Sequence, residues 1–145
     1  MTQDPQQVAE AVGRAMAAAD TATRELGVEL LEAGPGRAKL RMAVQPKMLN
    51  AVGICHGGYI FLLADAAFAF ACNSYNRVAL AQRADISFIA KVAPDAVLTA
   101  EAREAAHTGR SGVYDVEVRD QDGTLVGLFR GHSREVKGTV VPGLT

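Results

Sequence analysis

The chain of 145 residues carries 15 basic and 16 acidic side chains, a net charge of -1, and is 49% hydrophobic. That length suits one ordinary domain, residues 1–145, around a single core. The balanced charge, with no basic cluster along the chain, excludes nucleic acid as an expected partner.

The two cysteines, Cys55 and Cys72, fit neither a metal-ligand spacing nor a disulfide framework, so both are expected reduced, with no metal and no cofactor. The first residues lack the pattern of a secretory leader, which makes a cytoplasmic location the expectation.

Residues 1–26 form a helical segment. Asp4-Pro5-Gln6-Gln7 starts it, with Asp4 as N-cap, Pro5 at the first helical position and Gln7 closing a capping box. Val8, Val12, Ala15, Met16 and Ala19 follow at helical spacing. A second short helix is predicted from Asp20 to Leu26, stopped by Gly27. The period then shortens. Val28 and Leu30 open a strand that turns at Gly34-Pro35-Gly36, and Ala38, Leu40, Met42 and Val44 alternate with Lys39 and Arg41 in its hairpin partner. Pro46 ends that strand. In the loop that follows, the amide of Asn50 either caps a turn or donates to a ligand carbonyl.

Gly57 to Cys72 is apolar in every direction of the helical wheel, so the helix it forms is expected to be wrapped by the rest of the protein. It is shorter than the ~20 residues that cross a bilayer and holds a carboxylate midway, which sets a membrane span aside. Asp65 is the only charged residue between His56 and Arg77, and an ionised carboxylate in such surroundings is costly without a purpose. Gly57 and Gly58 open this helix, where backbone N–H groups lack intrahelical partners and the macrodipole is positive. Without side chains there, a ligand oxygen can approach those N–H groups as an oxyanion hole requires. Cys55 beside His56 invites a nucleophile reading, but a free cysteine is more often a small buried hydrophobe.

Four strands are predicted after the helix: Val78–Val92, Ala96–Ala106, Val113–Arg119 and Thr124–Val136. Short turns join them into an antiparallel meander whose face, marked by Tyr114, Val116, Val118, Leu125, Gly127 and Phe129, is covered by the helix. Residues 138–145, with Pro142 and Gly143, are expected to be a flexible tail. The fold class is therefore α+β: an antiparallel sheet wrapped around one long central helix, with an N-terminal helix.

His56-Gly57-Gly58 opening an apolar helix that contains Asp65 is preceded by Met48-Leu49-Asn50 and followed by Cys72-Asn73-Ser74. With Gly112 to Val118 and Leu128-Phe129-Arg130-Gly131, this set resembles the hotdog-fold acyl-CoA thioesterases of the phenylacetic-acid-degradation (PaaI-type) family, over about Leu26 to Thr139. The resemblance implies hydrolysis of an acyl-CoA thioester, of phenylacetyl-CoA or hydroxyphenylacetyl-CoA type, to free acid and CoA. It implies Asp65 as nucleophile or general base, Gly57 N–H as oxyanion donor with Asn50 as a second donor, and His56 at the thioester or orienting the loop. Gly58, Gln82 and Arg110 are the expected substrate-binding residues. Related enzymes place a Ser or Thr on the strand after the helix to position water; here the stretch is Ala81-Gln82-Arg83, with Gln82 as the substitute. Gly57 and Asp65 lie too far apart on one helix to serve one thioester, so a homo-oligomer with shared sites is expected, a dimer or a dimer of dimers.

Two other activities compete. A hotdog dehydratase or hydratase would use His56 and Asp65 as base and acid, but the Phe-Pro-Gly-type loop of such enzymes is missing. A non-catalytic acyl-CoA-binding module has no use for a carboxylate held in an apolar helix.

Overall fold

In the computed structural model, residues 3–144 are described. The Asp4 carboxylate accepts from the Gln7 N–H at 3.3 Å, and Pro5 takes the first helical position of α1, Pro5–Ala19. Its buried face is Val8, Ala9, Val12 and Gly13 rather than a stripe reaching Ala19, which is exposed. Asp20 caps α2, Thr21–Glu25, by accepting from the Thr23 N–H at 3.2 Å, and Gly27 follows with φ of 74°. Helix α3 spans Gly57–Cys72.

Six strands make one antiparallel sheet: β1 Glu29–Gly34, β2 Arg37–Ala43, β3 Ala79–Phe88, β4 Val97–Thr108, β5 Ser111–Arg119 and β6 Leu125–Glu135. Their spatial order is β1-β2-β4-β5-β6-β3. The expected four-strand meander is thus corrected. Only β4, β5 and β6 run as neighbours, while β3 crosses to the far edge beside β6, and β4 pairs with β2. Periodicity identifies strands but not their partners. What places β3 is the end of α3: the Asn73 amide donates to the Ala79 carbonyl at 3.1 Å and its oxygen accepts from the Ala79 N–H at 2.9 Å, so the edge strand begins against the helix terminus.

The concave face carries the core. Leu40 and Met42 of β2, Leu98 and Ala100 of β4, Tyr114, Val116 and Val118 of β5, and Val126 and Phe129 of β6 are buried against Leu63, Ala64, Ala67, Phe68 and Ala71 of α3. Val116 faces Phe129 and Val118 faces Gly127 across β5 and β6, as their alternation predicts. Phe68 packs on Tyr114 and Phe129 at ring-centroid distances of 5.7 and 5.8 Å. Burying each such ring contributes about 1.5–3 kcal/mol.

One expectation about α3 is corrected. The helix lies mainly across β2, β4 and β5, and a stripe of Gly58, Phe61, Leu62, Asp65 and Ala69 keeps part of its surface open. These residues recur at helical spacing, so they share the face that a single sheet does not reach. Asp65 is therefore half-buried rather than enclosed. At the C-terminal end, Gly138 to Leu144 lies against the body: the Asn76 amide donates to the Val141 and Leu144 carbonyls at 2.9 and 2.7 Å and accepts from the Val141 N–H at 2.8 Å. Composition alone suggested a frayed end there and held no sign of this clasp. Among the described residues, no helix is long and apolar enough to cross a membrane.

Candidate active site

The first turn of α3 sets the site. His56 is its N-cap, and its Nδ1 accepts from the Gly58 N–H at 3.1 Å. The imidazole therefore orients the loop, and the Gly58 N–H is spoken for. The Gly57 N–H has no acceptor among the described residues, while the Tyr59 N–H bonds the His56 carbonyl at 3.0 Å. Gly57 thus offers an open backbone donor at the positive end of the helix.

Beside it, residues 49–55 form a tight loop closed by the Leu49–Cys55 bridge. The Asn50 side-chain oxygen accepts from the Val52 and Ile54 N–H groups at 3.1 and 3.2 Å, an Asx-type turn. Its Nδ2 has no acceptor among the described residues. Both roles left open for Asn50 are therefore compatible, since the oxygen holds the turn and the nitrogen remains a donor.

Gly57 and Asn50 line a cleft of about 400 Å³, walled by Ile54, Cys55, Ile60, Phe88, Ile89 and Val92, with Ala90 and Lys91 at its rim. The ring of Phe88 lies directly over Gly57, and a methyl group on that glycine would meet Phe88 Cζ at 2.9 Å. In the sequence Phe88, Ile89, Lys91 and Val92 belong to a predicted strand and carry no sign of a site. The available signal was the apolar run Phe88-Ile89-Ala90 before Lys91, which is equally the mark of an ordinary strand terminus.

The other candidates stand apart in a single chain. Asp65 does not line this cleft; it lies on the open stripe of α3, and its pKa is raised above 3.8 by burial and, secondarily, by the nearby charge of Asp20. A carboxylate so biased is a better proton acceptor near neutral pH than an exposed one. Gln82 is the extra residue of a β-bulge between Ala81 and Arg83 on the edge strand β3, with its side chain exposed. Arg110 lies in the β4–β5 turn, whose carbonyl accepts from the Glu135 N–H at 2.7 Å, at the end of the fold where α3 terminates and remote from Gly57. Cys55 is buried, and burial raises its thiol pKa, which opposes the thiolate a nucleophile needs. Cys72 is likewise buried and its pKa is pushed up to about 12.

The thioesterase superfamily pattern matches residues 52–127, the stretch that holds α3, β3, β4 and β5. The chain belongs to the thioesterase superfamily. It is 39% identical over 121 residues to the acyl-coenzyme A thioesterase PaaI of Escherichia coli, covering 83% of this chain and 86% of that one. The structure of the E. coli PaaI protein from the phenylacetic acid degradation operon matches with a TM-score of 0.92 at 37% identity, over 94% of this chain and 99% of that chain. A mutant of the phenylacetic acid degradation protein PaaI from Thermus thermophilus matches with a TM-score of 0.76 at 32% identity, over 79% and 97% of the two chains. The fold is accordingly the hotdog fold of these thioesterases, and the protein is a thioester hydrolase. In thioester hydrolysis the developing charge sits on a carbonyl oxygen, a group that an open backbone N–H can bind.

Proposed function

We propose that this thioesterase hydrolyses acyl-CoA esters, with preference for aryl or arylacetyl groups, at a site completed by a second copy of the chain. The observation that carries the proposal is the Gly57 N–H, open at the start of α3 and floored in an apolar cleft beside the Asn50 amide. The thioester oxygen accepts from the Gly57 N–H, helped by the helix dipole, and from Asn50 Nδ2. Asp65 of the second copy either takes a proton from the attacking water or attacks the carbonyl itself. In the first route the C–S bond breaks, CoA leaves as its thiolate and takes up a proton, and water supplies the new oxygen of the acid. In the second the Asp65 oxygen displaces the thiolate to form a mixed anhydride, which water opens at the Asp65 carboxyl carbon, so that the acid leaves with the former Asp65 oxygen and the carboxylate is restored with one from water.

The open edge of β3 and the open stripe of α3 supply the reason for pairing. Leu80, Phe88 and Ile89 on and beside β3 are half-exposed, and an unpaired strand edge is a template for another strand. A two-fold pairing there brings the Asp65 stripe of one helix toward the helix of the other copy and places Gln82 at the junction. Arg110 remains available to the nucleotide phosphates of CoA. The expected assembly is a dimer or a dimer of dimers in the cytoplasm, with no nucleic acid or membrane as partner.

Thiol release measured across phenylacetyl-, hydroxyphenylacetyl-, benzoyl-, hexanoyl- and palmitoyl-CoA tests the proposal. Higher kcat/KM on the arylacetyl esters is expected, and equal efficiency on palmitoyl-CoA counts against it. Single-turnover hydrolysis in ¹⁸O-labelled water separates the two roles of Asp65, because a nucleophilic carboxylate delivers its own oxygen to the first acid released.

A further inference from the structure

We infer that Phe88 is a specificity residue: its ring is the movable wall of the acyl pocket and selects flat acyl groups at the Gly57 donor. The inference rests on the proposed acyl-CoA reading and adds a residue to it that neither the helix motif nor the glycine pair contains. A methyl group on Gly57 would stand 2.9 Å from Cζ and 3.1 Å from Cε1 of Phe88, so the far edge of the ring lies against Gly57 where both line the cleft. A thioester oxygen bonded to that N–H comes to about 3 Å from the nitrogen. The carbon it belongs to, and the first atoms of the acyl chain, must then share the ring's space or move the ring.

Two features leave the ring able to shift within the cleft. Phe88 is the last residue of β3, where the strand ends. Its cross-strand neighbour on β6 is Gly127, so no side chain opposite holds the ring in register. The other walls, Ile54, Cys55, Ile60, Ile89 and Val92, are not aromatic, which leaves Phe88 as the aromatic face that the described residues of this chain give the cleft. An aromatic acyl group gains an offset or edge-to-face partner from it that an alkyl chain does not.

The test is the ratio of kcat/KM for phenylacetyl-CoA to that for hexanoyl-CoA in the wild-type protein, Phe88→Ala and Phe88→Leu. Removal of the ring is expected to lower this ratio about three- to tenfold in both variants, the range that one aromatic pair confers. Native mass and melting temperature are recorded in parallel. A ratio that changes less than 1.5-fold, or an equal loss on both esters, overturns the inference. If the wild-type protein hydrolyses neither ester, the acyl-CoA hydrolysis reading fails by itself. The ratio is then taken from dissociation constants of the unreactive S-phenethyl and S-hexyl thioethers of CoA, by calorimetry, with the same thresholds. Binding of neither thioether overturns both.

Discussion

Gly57 and Asp65 share one helix but are eight residues apart, roughly 12 Å along its axis, and Asp65 does not line the cleft that Gly57 floors. A donor and a base that act on one carbonyl must each come within about 3 Å of it. Asp65→Ala and Gly57→Val are therefore each expected to be inactive as pure proteins. Mixed by refolding, they form hybrid dimers in which one site joins an intact Gly57 to an intact Asp65. Recovery of about a quarter of wild-type thiol release is expected for random mixing and independent sites. Absence of recovery, with hybrids demonstrated by native mass, places both residues in one subunit's site.

Asp65→Ala is expected to keep the fold and lower turnover of the preferred ester by roughly two orders of magnitude or more. The side chain makes no hydrogen bond among the described residues, so its removal leaves no orphaned partner. Circular dichroism and kcat measured on the same preparation separate lost chemistry from lost structure. A folded variant with near wild-type turnover removes Asp65 from the mechanism.

The raised pKa of Asp65 gives a pH signature. Burial disfavours the ionised form in the folded state, so the stability the neutral acid provides is fully present below the unfolded value of 3.8 and is lost as pH rises through the higher folded value. Asp65→Asn, which is neutral throughout, is expected to melt above the wild type at pH 7 and to lose that advantage as the pH falls toward 3.8. The wild-type kcat/KM should have an acid limb whose midpoint lies above that same value. A melting difference independent of pH contradicts the burial argument.

Asn50→Asp separates the two functions of that side chain. A carboxylate can still accept from the Val52 and Ile54 N–H groups, but it cannot donate to a carbonyl oxygen and adds negative charge beside it. A loss of roughly a hundredfold in kcat is expected, the lower end of what removing one oxyanion donor costs, with the melting temperature close to that of the wild type. Asn50→Ala should lower both. If Asn50→Asp turns over normally, the residue serves only the turn.

Gly131 owes its identity to packing. A methyl group there would stand 2.7 Å from Cδ1 and Cε1 of Phe68, a ring only 1% exposed that Tyr114 and Phe129 also pack against. Gly131→Ala is expected to cost about 1–3 kcal/mol through overpacking, read as a lower midpoint in urea. The same substitution at Gly57 meets Phe88, a ring at the end of β3 with only Gly127 opposite it, so Gly57→Ala should change stability little and turnover strongly.

Local chemistry in the sequence determined much of this protein. The Asp4 cap, the Gly34-Pro35-Gly36 turn, the strand alternation and the apolar run of α3 each depend on interactions within a few residues, and residue pattern reports those directly. The open donor at Gly57 was legible for the same reason, because the first residue of a helix has no intrahelical acceptor for its N–H. Sheet order was not legible, since β3 and β4 have strand character regardless of which neighbour they meet, and the Asn73–Ala79 bonds that send β3 to the edge are invisible in a hydropathy pattern. Nor was the wall of the cleft. Phe88 and Gly57 are separated by 31 positions in the chain, and only the curl of the sheet over the first turn of α3 sets one on the other.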